Sequence, residues 1–153
     1  MADSLFNALT ADAILLGVDA KTNEEVIRLL ADRLFELGYV KDTYADAVVK
    51  REQSMPTGLP LEREENVAVP HTDPEHVLKA AIAMATLKTP VNFANMEDPD
   101  EAVAVGTVFL LAINDKDKQI ETLQSIMGAI QSPEILDGLK QAQTIEDLKK
   151  LLG

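Results

Sequence analysis

Val67-Ala68-Val69-Pro70-His71-Thr72 runs four apolar residues straight into a histidine, and a turn follows at once. The chain has two histidines, and His71 stands at the tip of what reads as a buried strand, a rigid place to present an imidazole. Imidazole titrates near neutrality and has two distinct nitrogens. It can act as a base, a metal ligand or a nucleophile, and at a strand end it can equally be a structural residue. As a nucleophile it needs one free nitrogen and the other held by an acceptor that fixes the tautomer. Thr72-Asp73-Pro74-Glu75 reads as a capping box with proline in the first turn. His71 is therefore expected beside the start of a short helix, whose free N–H groups favour an anion such as a phosphoryl group.

Other residues near this stretch carry weaker signals. His76 lies about 140° round a helix from His71, so the two lack the spacing of a metal-binding pair. With no cysteine in the chain, a metal would need Asp73 or Glu75 as well, a poor match to ligand spacings, and no metal site is expected. His76 is read as a solvated helix residue, with a supporting role near His71 as the alternative. Arg51 offers a planar fork of donors suited to phosphate oxygens, although an Arg51-Glu52 pair late in a helix commonly lines a solvated face. Thr57-Gly58 supplies a hydroxyl and a closely approaching backbone. The chain has no glycine-rich loop with a Walker lysine and no serine in a nucleophile elbow, which argues against an ATP-dependent kinase.

The elements that must hold these residues are marked by caps and periodicity. Thr22-Asn23-Glu24-Glu25 is a capping box ahead of Val26, Ile27, Leu30, Leu34 and Leu37 at helical spacing, and Gly38 is a C-terminal stop. Thr43-Tyr44-Ala45-Asp46 opens a second helix that ends before Pro56. Residues 55–66 are polar and contain Pro56, Gly58 and Pro60, so they predict a loop. Val67-Ala68-Val69 predicts a strand, residues 80–87 another, with a helix as the alternative because of its alanines, and 103–113 a central strand covered on both faces, with an acidic loop at 96–101. Past Asn114 the period turns helical. Ile120, Leu123, Met127 and Ile130 form a stripe, Ser132-Pro133 ends that helix and caps the next, and Thr144 caps a last one through Leu152. The expected fold is α/β: a single-domain sandwich over residues 1–153, with a mixed β-sheet packed between helical layers.

Composition bounds the partners. A chain of 153 residues, 46% hydrophobic and 26% charged, is long enough for one real core. The net charge of −12 repels nucleic acid and anionic lipid. The N-terminus shows no basic region ahead of an apolar run, and the apolar run 102–113 is too short to span a bilayer. A cytoplasmic protein without direct membrane insertion is expected.

The combination Arg51-Glu52…Pro56-Thr57-Gly58…Val67-Ala68-Val69-Pro70-His71 resembles the signature of the enzyme IIA domains of the fructose–mannitol type, from the bacterial phosphoenolpyruvate-dependent sugar phosphotransferase system. The resemblance runs over essentially the whole chain. It implies the α/β fold of that family and a phosphotransferase in which His71 accepts a phosphoryl group from the carrier HPr and passes it to enzyme IIB, usually to a cysteine. Enzyme IIB in turn serves the membrane enzyme IIC. It implies that Arg51 holds the phosphoryl group or the partner, with Thr57 and Gln119 as further contacts, and that neither metal nor nucleotide cofactor takes part. Many members carry glycine after the Pro-His pair and a second histidine before the helix that follows the central strand. Thr72 and Gln119 stand in those places here, and a glutamine can hydrogen-bond to phosphate but cannot carry a proton charge. These features, with Pro56-Thr57-Gly58 and His76, resemble the galactitol branch, which implies uptake of galactitol or a related polyol. A regulatory IIA-like protein and a module with an inert histidine are the alternative readings. An exposed apolar patch formed by Met55 and Leu59 is expected near His71, small enough for weak, reversible docking.

Overall fold

The computed structural model describes residues 5–61 and 63–153. Residues 1–4, part of the N-terminal stretch read above as lacking a leader, lie outside the described residues. A short helix α1 (Leu5–Ala8) and a 3-10 turn lead into strand β1 (Ile14–Val18), followed by helices α2 (Asn23–Glu36) and α3 (Tyr44–Ser54). Strands β2 (Gly58–Leu59), β3 (Asn66–Ala68), β4 (Ala81–Ala94) and β5 (Ala102–Ala112) come next, then helices α4 (Lys116–Ala129), α5 (Pro133–Gln141) and α6 (Ile145–Leu152). The sheet order is β1-β4-β5-β3-β2. β1 and β3 run parallel to their inner neighbours, whereas the β4–β5 and β2–β3 pairs are antiparallel. The sheet is mixed, as the order of helical and strand-like segments predicts.

Side-chain alternation along the central strands builds two cores. Ala83, Ala85, Val108 and Leu110 face α2 and α3, where Val26, Ile27, Leu30, Leu34 and Val48 close the layer. Ile82, Met84, Phe109 and Leu111 face the other way, onto Ile126, Leu139 and Leu148 of the C-terminal helices. Burial of these apolar side chains, at roughly 25 cal/mol per Å², is the main stabilising term. The helix caps match the sequence signals. Thr22, Ser132 and Thr144 each accept a backbone N–H three residues on, and Gly38 ends the α2 turn at φ 85°, a left-handed conformation that suits glycine.

Several expectations are corrected. Ile14–Val18 is an edge strand that pairs with β4, so a strand precedes the two helices. The 55–66 segment contains β2, which pairs with β3 and carries Gly58 against the Ala94 carbonyl; a Cβ there would meet that oxygen at 2.6 Å. β4 continues past residue 87 to Ala94, because β5 stays paired with it beyond a register shift between Thr86 and Val91. On α4 the inward stripe is Gln119, Leu123, Ile126 and Ile130. Ile120 and Met127 are exposed at 55% and 41%. Among the described residues, no helix is long and apolar enough to cross a membrane.

Candidate functional site

His71 lies just past β3, where the chain continues extended through Val69 and Pro70. Two contacts hold this segment to the end of β5. The Leu111 N–H donates to the Pro70 carbonyl at 3.0 Å, and His71 itself bridges Leu111 in parallel register. The Leu111 carbonyl accepts the Tyr44 hydroxyl at 2.6 Å inside the core. The first residue of α3 thus fastens the strand end that carries His71. Burial raises the Tyr44 pKa and keeps the phenol protonated.

The imidazole is half-buried. Its Nδ1 lies 2.8 Å from the Val69 carbonyl oxygen. A carbonyl only accepts, so Nδ1 carries the hydrogen and Nε2 keeps its lone pair. Burial pushes the His71 pKa below its ordinary value. The Val69 carbonyl and Asp73 oppose that shift, while Arg51 adds to it. At neutral pH the ring is therefore uncharged, with one nitrogen fixed and the other free. These are the two conditions for a nucleophilic histidine.

Arg51, in the last turn of α3, is close enough to depress the His71 pKa. Its Nη1 lies 3.9 Å from an Asp73 carboxylate oxygen, a loose and largely solvated pairing worth little. Its Nε is buried and has no hydrogen-bond partner among the described residues. A buried donor left unpaired is costly. Gln119 reaches the same place from the start of α4 and donates its side-chain N–H to the Thr72 carbonyl at 3.3 Å. It does so because it heads the inward stripe of that helix.

Thr57 is buried, and its hydroxyl is committed elsewhere. The O–H donates to one Glu52 carboxylate oxygen at 2.7 Å, and the N–H donates to the other at 2.8 Å. The sequence therefore brings His71, Arg51 and Gln119 together, with Thr57 one step behind them. Glu52 is not on a solvated face: it is 5% exposed, and burial raises its pKa to about 7 against the pull of the Thr57 donors and Arg51. The signal for this was present in the sequence. Tyr44, Val48 and Glu52 are spaced four apart on one face of α3, a face that Tyr44 and Val48 mark as apolar.

The turn after His71 also differs from expectation. Pro74–His76 forms a 3-10 turn in which Asp73 makes no capping hydrogen bond, so no helix start presents its N–H groups to an anion. The turn is stitched to the loop before α3 instead. Lys41 N–H donates to the His76 carbonyl, and His76 Nδ1 lies 2.8 Å from the Thr43 hydroxyl. That contact takes the hydroxyl read as opening α3, and it makes His76 a bracing residue with a side chain 22% exposed. Leu59 is buried at 3%, so of the two expected patch residues only Met55, 56% exposed, is on the surface. No cluster of three or more histidine, aspartate or glutamate side chains suited to a metal occurs among the described residues. A cavity of about 470 Å³ opens elsewhere on the sheet, lined by Glu65, Thr86, Gly106, Thr107 and Lys140, and includes neither His71 nor Arg51.

Known proteins share this fold. Residues 7–153 match the family model described as phosphoenolpyruvate-dependent sugar phosphotransferase system, EIIA 2. The galactitol-specific EIIA component of Escherichia coli K12 is 30% identical over 123 residues, covering 80% of this chain and 81% of that protein. The crystal structure of IIA mannitol from Escherichia coli superposes with a TM-score of 0.79 at 28% identity, covering 95% of this chain and 99% of the other. The complex of IIA mannitol with phosphorylated IIB mannitol from the same organism gives a TM-score of 0.77 at 28% identity, covering 94% and 95%.

Proposed function

Because the chain belongs to the EIIA 2 family of the phosphoenolpyruvate-dependent sugar phosphotransferase system, we propose that it carries a phosphoryl group on His71. The observation that carries this reading is the fixed neutral tautomer: Nδ1–H is held by Val69 while Nε2 keeps a free lone pair. The Nε2 lone pair attacks phosphorus on the donor, phosphohistidine of HPr. As the new N–P bond forms, the donor's N–P bond breaks and its electron pair stays on the donor imidazole. In the second step an acceptor on enzyme IIB, a cysteine thiolate in the usual case, forms a bond to phosphorus. Nε2 recovers its pair, and His71 returns to the neutral ring.

The unpaired Arg51 Nε supports a role at the phosphoryl oxygens, where a fixed donor offsets charge without reorganisation. Gln119 supplies a neutral contact in place of a second titrating group. Thr57 acts from behind, through Glu52 and the β2 backbone. Met55 follows the helical turn that carries Arg51, and Ile120 follows Gln119; both are more than half exposed and suit a small apolar docking surface for HPr and enzyme IIB. The likeness to IIA mannitol in its complex with IIB mannitol favours the IIB partner. The similarity to the galactitol-specific component, together with Gln119, favours galactitol or a related polyol as the sugar moved by the full system. On this reading residues 1–153 form one EIIA domain working in the cytoplasm, with enzyme IIC served indirectly.

Incubation with labelled phosphoenolpyruvate, enzyme I and HPr tests the assignment. The wild-type chain is expected to become labelled, and His71→Ala is expected to stay unlabelled. A His71→Ala protein that takes up label overturns the site. Adding a galactitol-type IIB then tests transfer, and label retained on the IIA chain favours the regulatory alternative.

A further inference from the structure

Glu52 is a buried carboxylate that makes and breaks no bond in the phosphoryl steps above. Its two oxygens both accept from one residue: the Thr57 O–H at 2.7 Å and the Thr57 N–H at 2.8 Å. Thr57 in turn offers its carbonyl to the Val69 N–H at 3.3 Å. The Val69 carbonyl accepts Nδ1–H of His71 at 2.8 Å. Three hydrogen-bonded steps therefore lead from a side chain on α3, across the start of β2, to the imidazole. We propose that Glu52 is a positioning residue for His71, clamping Thr57 so that the Val69 carbonyl stays in place to fix the imidazole tautomer. The proposal rests on the reading of His71 as the phosphoryl acceptor.

The clamp is demanding in a way that a surface carboxylate is not. A carboxylate presents two acceptors, and Thr57 presents two donors. A glutamine can still serve both groups, because the Thr57 oxygen can accept from the glutamine NH2 while the glutamine carbonyl accepts the Thr57 N–H, but a leucine offers no acceptor and leaves two buried donors unpaired. Thr57 would then rotate or shift, its carbonyl would move off Val69, and the Val69 carbonyl would lose its aim at Nδ1. The imidazole can flip or change tautomer once that acceptor is displaced, which puts hydrogen on Nε2 and removes the nucleophilic lone pair. Removing the partner that orients a metal-ligating histidine costs about 10–100-fold, and an imidazole that must hold one tautomer is expected to respond on a similar scale.

Glu52→Leu in the full chain tests this with two measurements. Nitrogen-15 NMR of the imidazole reads the His71 tautomer at pH 7.5, and labelling by phospho-HPr reads the rate. Wild type is expected to show hydrogen on Nδ1. Glu52→Leu is expected to show a mixed or reversed tautomer and a rate lowered about tenfold or more. Thr57→Val keeps the backbone N–H and carbonyl but removes the hydroxyl, and is expected to move both readouts less, with Thr57→Ser restoring them. If Glu52→Leu fails to fold, the Thr57 pair decides alone. A folded variant of either kind with an unchanged tautomer, or with an unchanged rate, overturns the proposal. If the wild-type chain takes no label from phospho-HPr, the reading of His71 as acceptor fails, while the tautomer measurement still decides the positioning by Glu52.

Discussion

Tyr44→Phe removes one hydroxyl and leaves the ring volume nearly unchanged, so packing contributes little to its cost. The lost contact is a 2.6 Å hydrogen bond to the Leu111 carbonyl, made by a side chain with no exposure at all. Water cannot reach the carbonyl to replace the phenol. A buried partner left unsatisfied costs about 1–3 kcal/mol. The Leu111 peptide keeps its N–H contact to Pro70, so the lower part of that range, about 1–2 kcal/mol, is expected. For a chain of this size each kcal/mol moves the thermal midpoint by roughly 2–4 °C, a loss of roughly 2–8 °C in total. Urea unfolding followed by circular dichroism is the assay. The midpoint should fall while the slope with denaturant is unchanged, since little exposed area differs. A Tyr44→Phe protein that unfolds at the wild-type urea concentration refutes the idea that this bond fastens the strand end beside His71.

Arg51→Ala should slow phosphoryl acceptance by about 10²-fold, the scale for losing one fixed donor to developing charge, and Arg51→Lys should recover only part of it because lysine has no Nε in a planar fork; a wild-type rate in the labelling assay with limiting phospho-HPr rejects Arg51 as a phosphoryl contact. Stability should respond to pH with two opposed slopes. The folded-state pKa of His71 lies below that of the unfolded chain, so its neutral burial stabilises fully above about pH 6.5, and that stability is lost as pH falls through the folded value. Glu52 rises from 4.5 to about 7 on folding, so its stabilising effect is full below pH 4.5 and is lost as pH rises through about 7, amounting to roughly 3 kcal/mol. Between those limits Glu52→Gln should therefore be relatively more stable toward pH 7 than wild type, and urea midpoints at pH 5 and pH 7 that change in parallel in both proteins contradict the assignment.

Local chemistry made much of this fold readable in advance. Thr22, Ser132 and Thr144 cap helices because a hydroxyl bonds an N–H three residues away, which needs no distant partner. The β3 and β5 runs are apolar enough to demand cover on both faces, and Pro70-His71 at the end of one of them marks the chemistry. Arg51 and Gln119 were identified by resemblance to a family, and folding brought them to the same end of the sheet. The stretches that resisted reading depend on partners far along the chain. Ile14–Val18 is a strand because β4 lies beside it, and Gly58-Leu59 is one because β3 does. Ile120 carries the same apolar signal as Ile126, yet packing against the second core turned α4 so that Gln119, not Ile120, points inward.

Along the chain alone, the caps at Thr22, Ser132 and Thr144, the apolar β5 run and the histidine at the end of the β3 run stand out. What that histidine can do depends on contacts made across the fold. The Val69 carbonyl fixes one nitrogen, burial keeps the ring neutral, and Arg51 brings an unpaired donor from another element. The same applies to Glu52, which looks like a surface acid in a row of charged residues. It became a buried clamp because α3 turns that face onto Thr57, and the energy of a carboxylate depends on what surrounds it rather than on its neighbours in sequence.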